Sequence, residues 1–475
     1  MAAPIENNTL YRFRDMNKLF GEFNELENQS IFFAPPEKLN DPVEGFRDIY
    51  FQGDKAMWES LFTNYLLSLT VFAVDYAIFG EDKILEQHSI ISSIDRTHPN
   101  LQTKFKEFLP SFIKSDEIQG LITNILKYCG RVSQVELSYY LSVIHFFALK
   151  IVFNALEEDN PENERSFNDV HIDIVDKLNK QRFEDIKDMS SKYGIDAVEF
   201  FSQQHVNFLA QQHLLLDLRQ ETKTPFKKLL INAFPRLYVE KLENFMYPKW
   251  FTACFMSTAT NSSVWGNYGD YHKGACLIFD IERGDNDKPS VTLGNDVISA
   301  SKSGIVRGKT KQRFDEIHYN HEQDSINFFD CLGLMPITKA KDEWFRDSDG
   351  KYSENIPKFD DEWRESYWNN FNQAITRKTA DWQYENEYRL TLNNMFGSYD
   401  FNGTTLVYDL KSLKGIVFGI KMPDVDKHRI IEVIEKKVHI NEHYDFCFYQ
   451  AYYCRRSGTI QHTELTALKF KRPEK

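Results

Sequence analysis

The chain has 475 residues, a formal net charge of −13, 42% hydrophobic residues and 15% aromatic residues. This composition excludes a disordered chain and predicts about two to four domains, or one domain carrying a large insertion. The acidic balance argues against broad electrostatic binding to nucleic acid or to anionic membranes.

Leu10-Tyr11-Arg12-Phe13-Arg14 alternates apolar and basic residues, which predicts a strand. Asp15 is a suitable N-cap for an amphipathic helix from Met16 to Leu26. Ile31-Phe32-Phe33-Ala34 reads as a short strand stopped by Pro35-Pro36, and Leu39-Asn40-Asp41-Pro42 as a turn held by Asx side chains. From residue 54 onward apolar residues recur at three and four, predicting a helical block of several helices. Leu61 to Val74 is free of charge but shorter than the about 20 residues a membrane span needs, so a buried core helix is expected.

Further strands are expected near Phe251–Met256 and Ala275–Ile281, around a helical Ser263–His272. Stretches 282–312 and 337–357 are polar and predict exposed loops. The end reads as strands at Leu406–Tyr408 and Ile416–Phe418, a helix from Asp424 to Lys437, a strand from Asp445 to Tyr453, and a basic tail. The expected architecture is α+β: a mixed-sheet domain built from both chain ends (1–53 and 241–475), with an inserted helical domain at 54–240. Six dispersed cysteines without a Cys-x-x-Cys pair, and no basic start followed by an apolar run, predict a cytoplasmic protein with reduced thiols and no membrane attachment.

Four segments are candidates for chemistry. Arg12 and Arg14 share one strand face and could grip a phosphate or carboxylate, or simply form a solvated sheet edge. Ser257-Thr258, at a strand end, could bond a ribose or a neighbouring glutamate, or form a turn. Trp265, Tyr268 and His272 fall on one helical face, suited to stacking on a base or nicotinamide ring, or to an aromatic core stripe. In Tyr384-Glu385-Asn386-Glu387-Tyr388-Arg389-Leu390, an extended strand would set Glu385, Glu387 and Arg389 on one face. Carboxylates roughly 7 Å apart along a strand need water, a cation or a ligand between them; a solvated charged face is the alternative. Phosphate loops, dinucleotide fingerprints and His-Glu-x-x-His are absent, and cysteine and histidine spacing offers no closed metal site. His205 and His213 lie two helical turns apart, without carboxylates to complete a metal site.

The run Leu10–Arg14 followed by Ile31-Phe32-Phe33-Ala34-Pro35-Pro36 and Leu39-Asn40-Asp41-Pro42-Val43-Glu44 resembles the N-terminal signature of the bacterial domain-of-unknown-function family 2971. Cys254-Phe255-x-Ser257, Trp265-x-x-Tyr268-x-x-x-His272-Lys273-Gly274, Trp382-x-Tyr384-Glu385-x-Glu387-x-Arg389 and Ile416-Val417-Phe418-Gly419 follow in the family's order. More distantly, the order of arginine strand, serine strand and Glu-x-Glu resembles ADP-ribosyltransferases of the Arg-Ser-Glu type. That resemblance implies an ADP-ribosyltransferase-like sheet and NAD as substrate, without a metal. Arg14 or Arg12 would hold an NAD phosphate or ribose, and Ser257 would orient the catalytic glutamate. Glu387 would stabilise the oxocarbenium-like transition state, and Glu385 would steer or deprotonate the acceptor. It further implies an intracellular toxin or phage-defence effector acting on a protein or nucleic-acid acceptor, or hydrolysing NAD. The helical block would then recognise that target or a neutralising or chaperone partner. A non-catalytic sensor module that binds a nucleotide or peptide through the same face is the rival expectation. Nucleic-acid processing is disfavoured by the acidic balance.

Overall fold

The computed structural model describes residues 4–41, 43–80, 93–157, 195–218, 225–283, 288–301, 304–319, 325–395, 397–400 and 403–472, with positions 90, 188 and 192 besides. The chain is α+β, with one large mixed sheet and many helices. It divides into two compact units: residues 1–46, 248–323 and 369–475, and residues 47–247 and 324–368.

The first unit is built on a twelve-stranded sheet. Its main strands are β1 (Thr9–Arg14), β2 (Ser30–Phe33), β3 (Trp250–Met256), β4 (Ala275–Asp280), β5 (Pro289–Ser301), β6 (Gly304–Glu316), β7 (Glu387–Asn393), β8 (Thr404–Tyr408), β9 (Leu413–Phe418), β10 (Cys447–Cys454) and β11 (Thr459–Glu464). The order is β11-β10-β9-β4-β1-β3-β7-β6-β5-β8-β2, and Glu282–Arg283 pairs with β5. Only β9 and β10 run parallel among these neighbours, joined by the helix Asp424–Asn441.

The order returns on itself. Ala34, just past β2, exchanges two 2.8 Å backbone hydrogen bonds with Thr252 of β3. This closure satisfies an edge that would otherwise stay open. Its apolar interior includes Ile31, Phe33, Phe251, Phe255, Leu293, Phe314, Leu390 and Leu406.

The predicted helix after Asp15 forms, but only over Met16–Phe20. Asp15 accepts from Lys18 N at 2.7 Å as the cap, and the helix stops at Gly21. The stretch 282–312, expected as an exposed loop, is mostly the β5–β6 hairpin. Its charged residues Arg307, Lys309, Lys311 and Arg313 recur at spacing two along β6 and are exposed, so polarity there marks a solvated strand face.

The second unit holds the helices Lys55–Phe79, Pro99–Ile113, Gln134–Glu157, Ile195–Leu218 and Phe234–Met246, with a small sheet of Ile49–Phe51, Val132–Ser133 and Ile326–Asn327. Lys55–Phe79 and Gln134–Leu156 are long and apolar enough to cross a membrane, yet 67% and 61% of their most apolar windows are buried inside the protein. A helix that is hydrophobic all round is what a core position requires. Ile337–Trp344, within a stretch expected as loop, is helical. The His213 side chain lies outside the described residues.

Candidate functional site

The sheet brings together the three strands singled out by sequence: β1, β3 and β7 are adjacent. Tyr11 pairs with Met256, and Met256 with Glu387, in one register line. Cross-strand partners share a face, so Glu387 lies on the side of Tyr11. Arg12 and Arg14 project from the opposite side. β1 and β3 hold only this one pair and then part. Where they part, a cavity of ≈ 340 Å³ opens, lined by Arg12 and Arg14 on one wall and by Cys254, Met256, Tyr268 and Lys378 on others. A shallower depression of ≈ 530 Å³ shares Asn40, Asn267 and Tyr268 with it.

On its arginine wall, Arg12 fills the gap between separating strands. Its guanidinium donates to Phe32 O at 2.8 Å and Cys254 O at 3.2 Å, carbonyls near the point where the ladder fails. Arg14 Nε donates to Glu25 Oε2 at 2.7 Å, and Arg12 Nη2 lies 3.4 Å from Glu25 Oε1. Arg12 is thus enclosed, whereas the Arg14 side chain keeps 15% of its surface.

Behind the opposite wall sits a buried charge cluster, of which Glu44 and Lys378 line the cavity while Glu385, Glu387 and Arg389 do not. Glu387 opens β7, and Arg389, two residues on, grips it with two donors: Nε to Oε1 at 2.6 Å and Nη2 to Oε2 at 3.1 Å. That part of the period-two expectation holds, and Tyr388 and Leu390 turn into the core. Glu385 is different. It ends a 3-10 turn, Ala380–Glu385, and Asn386 is left-handed at φ 49°, a conformation asparagine tolerates. Glu385 therefore is not in the strand; it reaches the cluster through Lys378. The Lys378 ammonium donates to Glu385 Oε2 at 2.6 Å and Glu387 Oε2 at 3.0 Å, and lies 3.0 Å from Glu44 Oε1. Arg389 Nη2 also lies 3.0 Å from Glu44 Oε1. Tyr268 OH donates to Glu385 Oε1 at 2.6 Å. The Glu387 backbone N–H donates to Tyr319 OH at 2.8 Å.

Lys378 is not singled out by sequence, and Glu44 stands only in the family-like signature, with no role in a site. Both are positioned from Asp41. Its carboxylate accepts from Val43 N at 3.1 Å and from Thr379 N and Oγ1 at 3.2 Å, tying the turn to the residue after Lys378. Gly45 follows at φ +71°, and a Cβ there would stand 2.7 Å from the Trp250 ring. Only glycine fits both demands.

Three carboxylates thus face two cations in near-complete burial. Burial alone raises carboxyl pKa values. For Glu387 burial is outweighed by the Arg389 and Lys378 charges, which hold it ionised and well below the usual range. For Glu385 burial wins, Lys378 opposes it and Glu387 reinforces it, and the pKa is pushed up to about 7. Glu44 is raised, first by burial. The same environment keeps Lys378 charged despite burial. One excess negative charge is relieved by a proton that Glu385 takes up near neutrality. A carboxyl with this pKa can accept or deliver a proton at physiological pH.

Ser257 is tied to the residue between the two glutamates: its N–H donates to Asn386 O at 3.0 Å, and its buried Oγ has no partner among the described residues, so it bonds neither carboxylate. The aromatic segment departs from the expected helical face. The helix runs Ser262–Tyr268, capped by Asn261. Trp265 is core, with Nε1 donating to Ala259 O at 2.8 Å. His272 lies past the helix end, in a turn where Asp270, Tyr271 and His272 all have positive φ (45°, 50° and 72°). Lys421 N fixes the His272 carbonyl at 2.9 Å. Burial and Lys421 lower the His272 pKa, and His272 does not line either cavity. Among the described residues, no group of three or more His, Cys, Asp or Glu side chains is arranged to hold a metal ion.

A family model described as "Protein of unknown function (DUF2971)" matches residues 264–390. The matched stretch carries Tyr268, Lys378, Glu385, Glu387 and Arg389; Arg12, Arg14, Glu44 and Ser257 lie outside it. No curated protein and no solved structure matches the chain.

Proposed function

We propose that the chain binds NAD in the cleft between β1 and β3 and transfers its ADP-ribosyl group to a macromolecular nucleophile or to water. With this goes the assignment of the sheet to an ADP-ribosyltransferase-like architecture. One observation supports the reading: the strand bearing Arg14, the strand that ends just before Ser257 and the strand bearing Glu387 are neighbours, and a cavity lined by Arg14 opens where the first two part. In this reading Arg14 and the other cleft cations receive the phosphates. The bond from nicotinamide nitrogen to ribose C1′ breaks, and nicotinamide leaves with the electron pair. The ionised Glu387 offsets the positive charge left on the ribose. The nucleophile bonds to C1′ and gives its proton to Glu385, whose pKa of about 7 suits a base at neutral pH. For Glu387 to act, the ligand must displace Lys378, which lines the cleft and holds one of its oxygens.

The enclosure of Glu387 favours a second reading. With no exposed side-chain surface and both oxygens held by cations, it would form a rigid wall, and the cleft would bind a nucleotide without cleaving it. The test is nicotinamide release from NAD labelled in the adenylate, with and without cell lysate. Transfer predicts release by the wild type and a loss of about 100-fold or more in Glu387→Gln. Glu385→Gln would lose transfer of label more than release. Absence of release throughout would leave only the binding reading, and equal release by wild type and Glu387→Gln would remove Glu387 from the chemistry.

A further inference from the structure

One acceptor in the charge cluster is left over. Glu44 Oε1 lies 3.0 Å from both the Lys378 ammonium and the Arg389 guanidinium. Its Oε2 has no partner among the described residues, although the side chain is only 2% exposed. A buried carboxylate oxygen without a donor is costly unless water or a ligand supplies one. Glu44 lines the cleft, and a donor arriving there must part the side chains that enclose Oε2.

The remaining lining describes the rest of such a ligand. Arg14, Lys18 and Lys38 bring cations to the same cavity. Phe23 and Phe32, also in the lining, stack with centroids 3.9 Å apart and planes 9° from parallel. The Lys38 ammonium sits 5.6 Å over the Phe32 ring. An acceptor at one point, aromatic surface and cations together suit a ligand with hydroxyl donors, a flat ring and an anionic group.

We propose that the cleft takes a phosphorylated nucleoside, with a ribose hydroxyl donating to Glu44 Oε2 and the phosphate held among Arg14, Lys18 and Lys38. The inference rests on the cleft being the ligand site, as proposed above, and requires no bond to be broken there. Failure of nicotinamide release therefore leaves it standing.

The experiment compares binding of AMP and 2′,3′-dideoxy-AMP to the full chain and to Glu44→Gln. In the variant two carboxylates face two cations, so the cluster stays balanced. The amide must turn its oxygen toward Lys378 and Arg389, which leaves its NH₂ where the free acceptor was. The wild type is expected to prefer AMP by about tenfold, the effect of one hydrogen bond to a charged group. Glu44→Gln should bind the dideoxy compound as the wild type does and lose the preference. An unchanged preference in the variant, no preference in the wild type, or no binding of AMP would each overturn the proposal. A variant that also weakens the dideoxy compound would assign Glu44 a purely structural role and overturn it too. If Glu44→Gln does not fold, Glu44→Asp, one methylene shorter, makes the same comparison.

Discussion

Glu385→Gln tests the charge balance of the buried cluster. In the folded protein the Glu385 carboxyl titrates at about 7, against an ordinary value of 4.5. A group raised in this way contributes its stability in full below about pH 4.5, and loses it as pH rises through 7, because the unfolded chain then ionises freely. Between 4.5 and about 7 this corresponds to roughly 3 kcal/mol at most. Glutamine cannot ionise, so it removes this dependence; its one oxygen can accept from Lys378, and its NH₂ can donate to the Tyr268 hydroxyl. Urea unfolding of both proteins at pH 5 and pH 8 reads the effect. Relative to Glu385→Gln, the wild type should lose about 2–3 kcal/mol of stability between the two values. Parallel stability curves would mean that Glu385 is ionised in the fold at both pH values, and that burial does not raise its pKa.

Lys378→Met leaves three buried carboxylates against Arg389 alone and should cost about 3–5 kcal/mol, measured by urea unfolding. Adding Glu44→Gln removes one of those charges, so the double variant should be more stable than Lys378→Met, a coupling expected only between groups in contact. Gly45→Ala combines a left-handed backbone with a Cβ 2.7 Å from Trp250. It should lower stability by about 1 kcal/mol or more and weaken AMP binding by displacing Glu44.

What was legible in the sequence was local. Alternation in Leu10–Arg14 and in Glu387–Arg389 describes real strands, because side-chain period is a property of the strand itself. Asp15 and Asp41 act as the cap and turn holders their residue types suggest. Glu385 departs from the pattern because one left-handed residue, Asn386, interrupts the extended chain just before Glu387. His272 departs because the helix ends at Tyr268, before a full second turn. Glu44 and Lys378 were invisible as partners, since only the fold brings residue 44 beside residues 378 and 389. A hint existed: two glutamates enclosed beside one arginine require a further cation. The β5–β6 hairpin offered a plainer one, in the spacing of Arg307, Lys309, Lys311 and Arg313.

Hydrogen–deuterium exchange of the full chain with and without NAD tests most directly whether the cleft between β1 and β3 is the ligand site. Binding there should slow exchange in β1, in residues 38–45, in 266–272 and in 378–387, and Arg14→Ala should weaken the protection. No change on adding NAD, or protection confined to other segments, would contradict it.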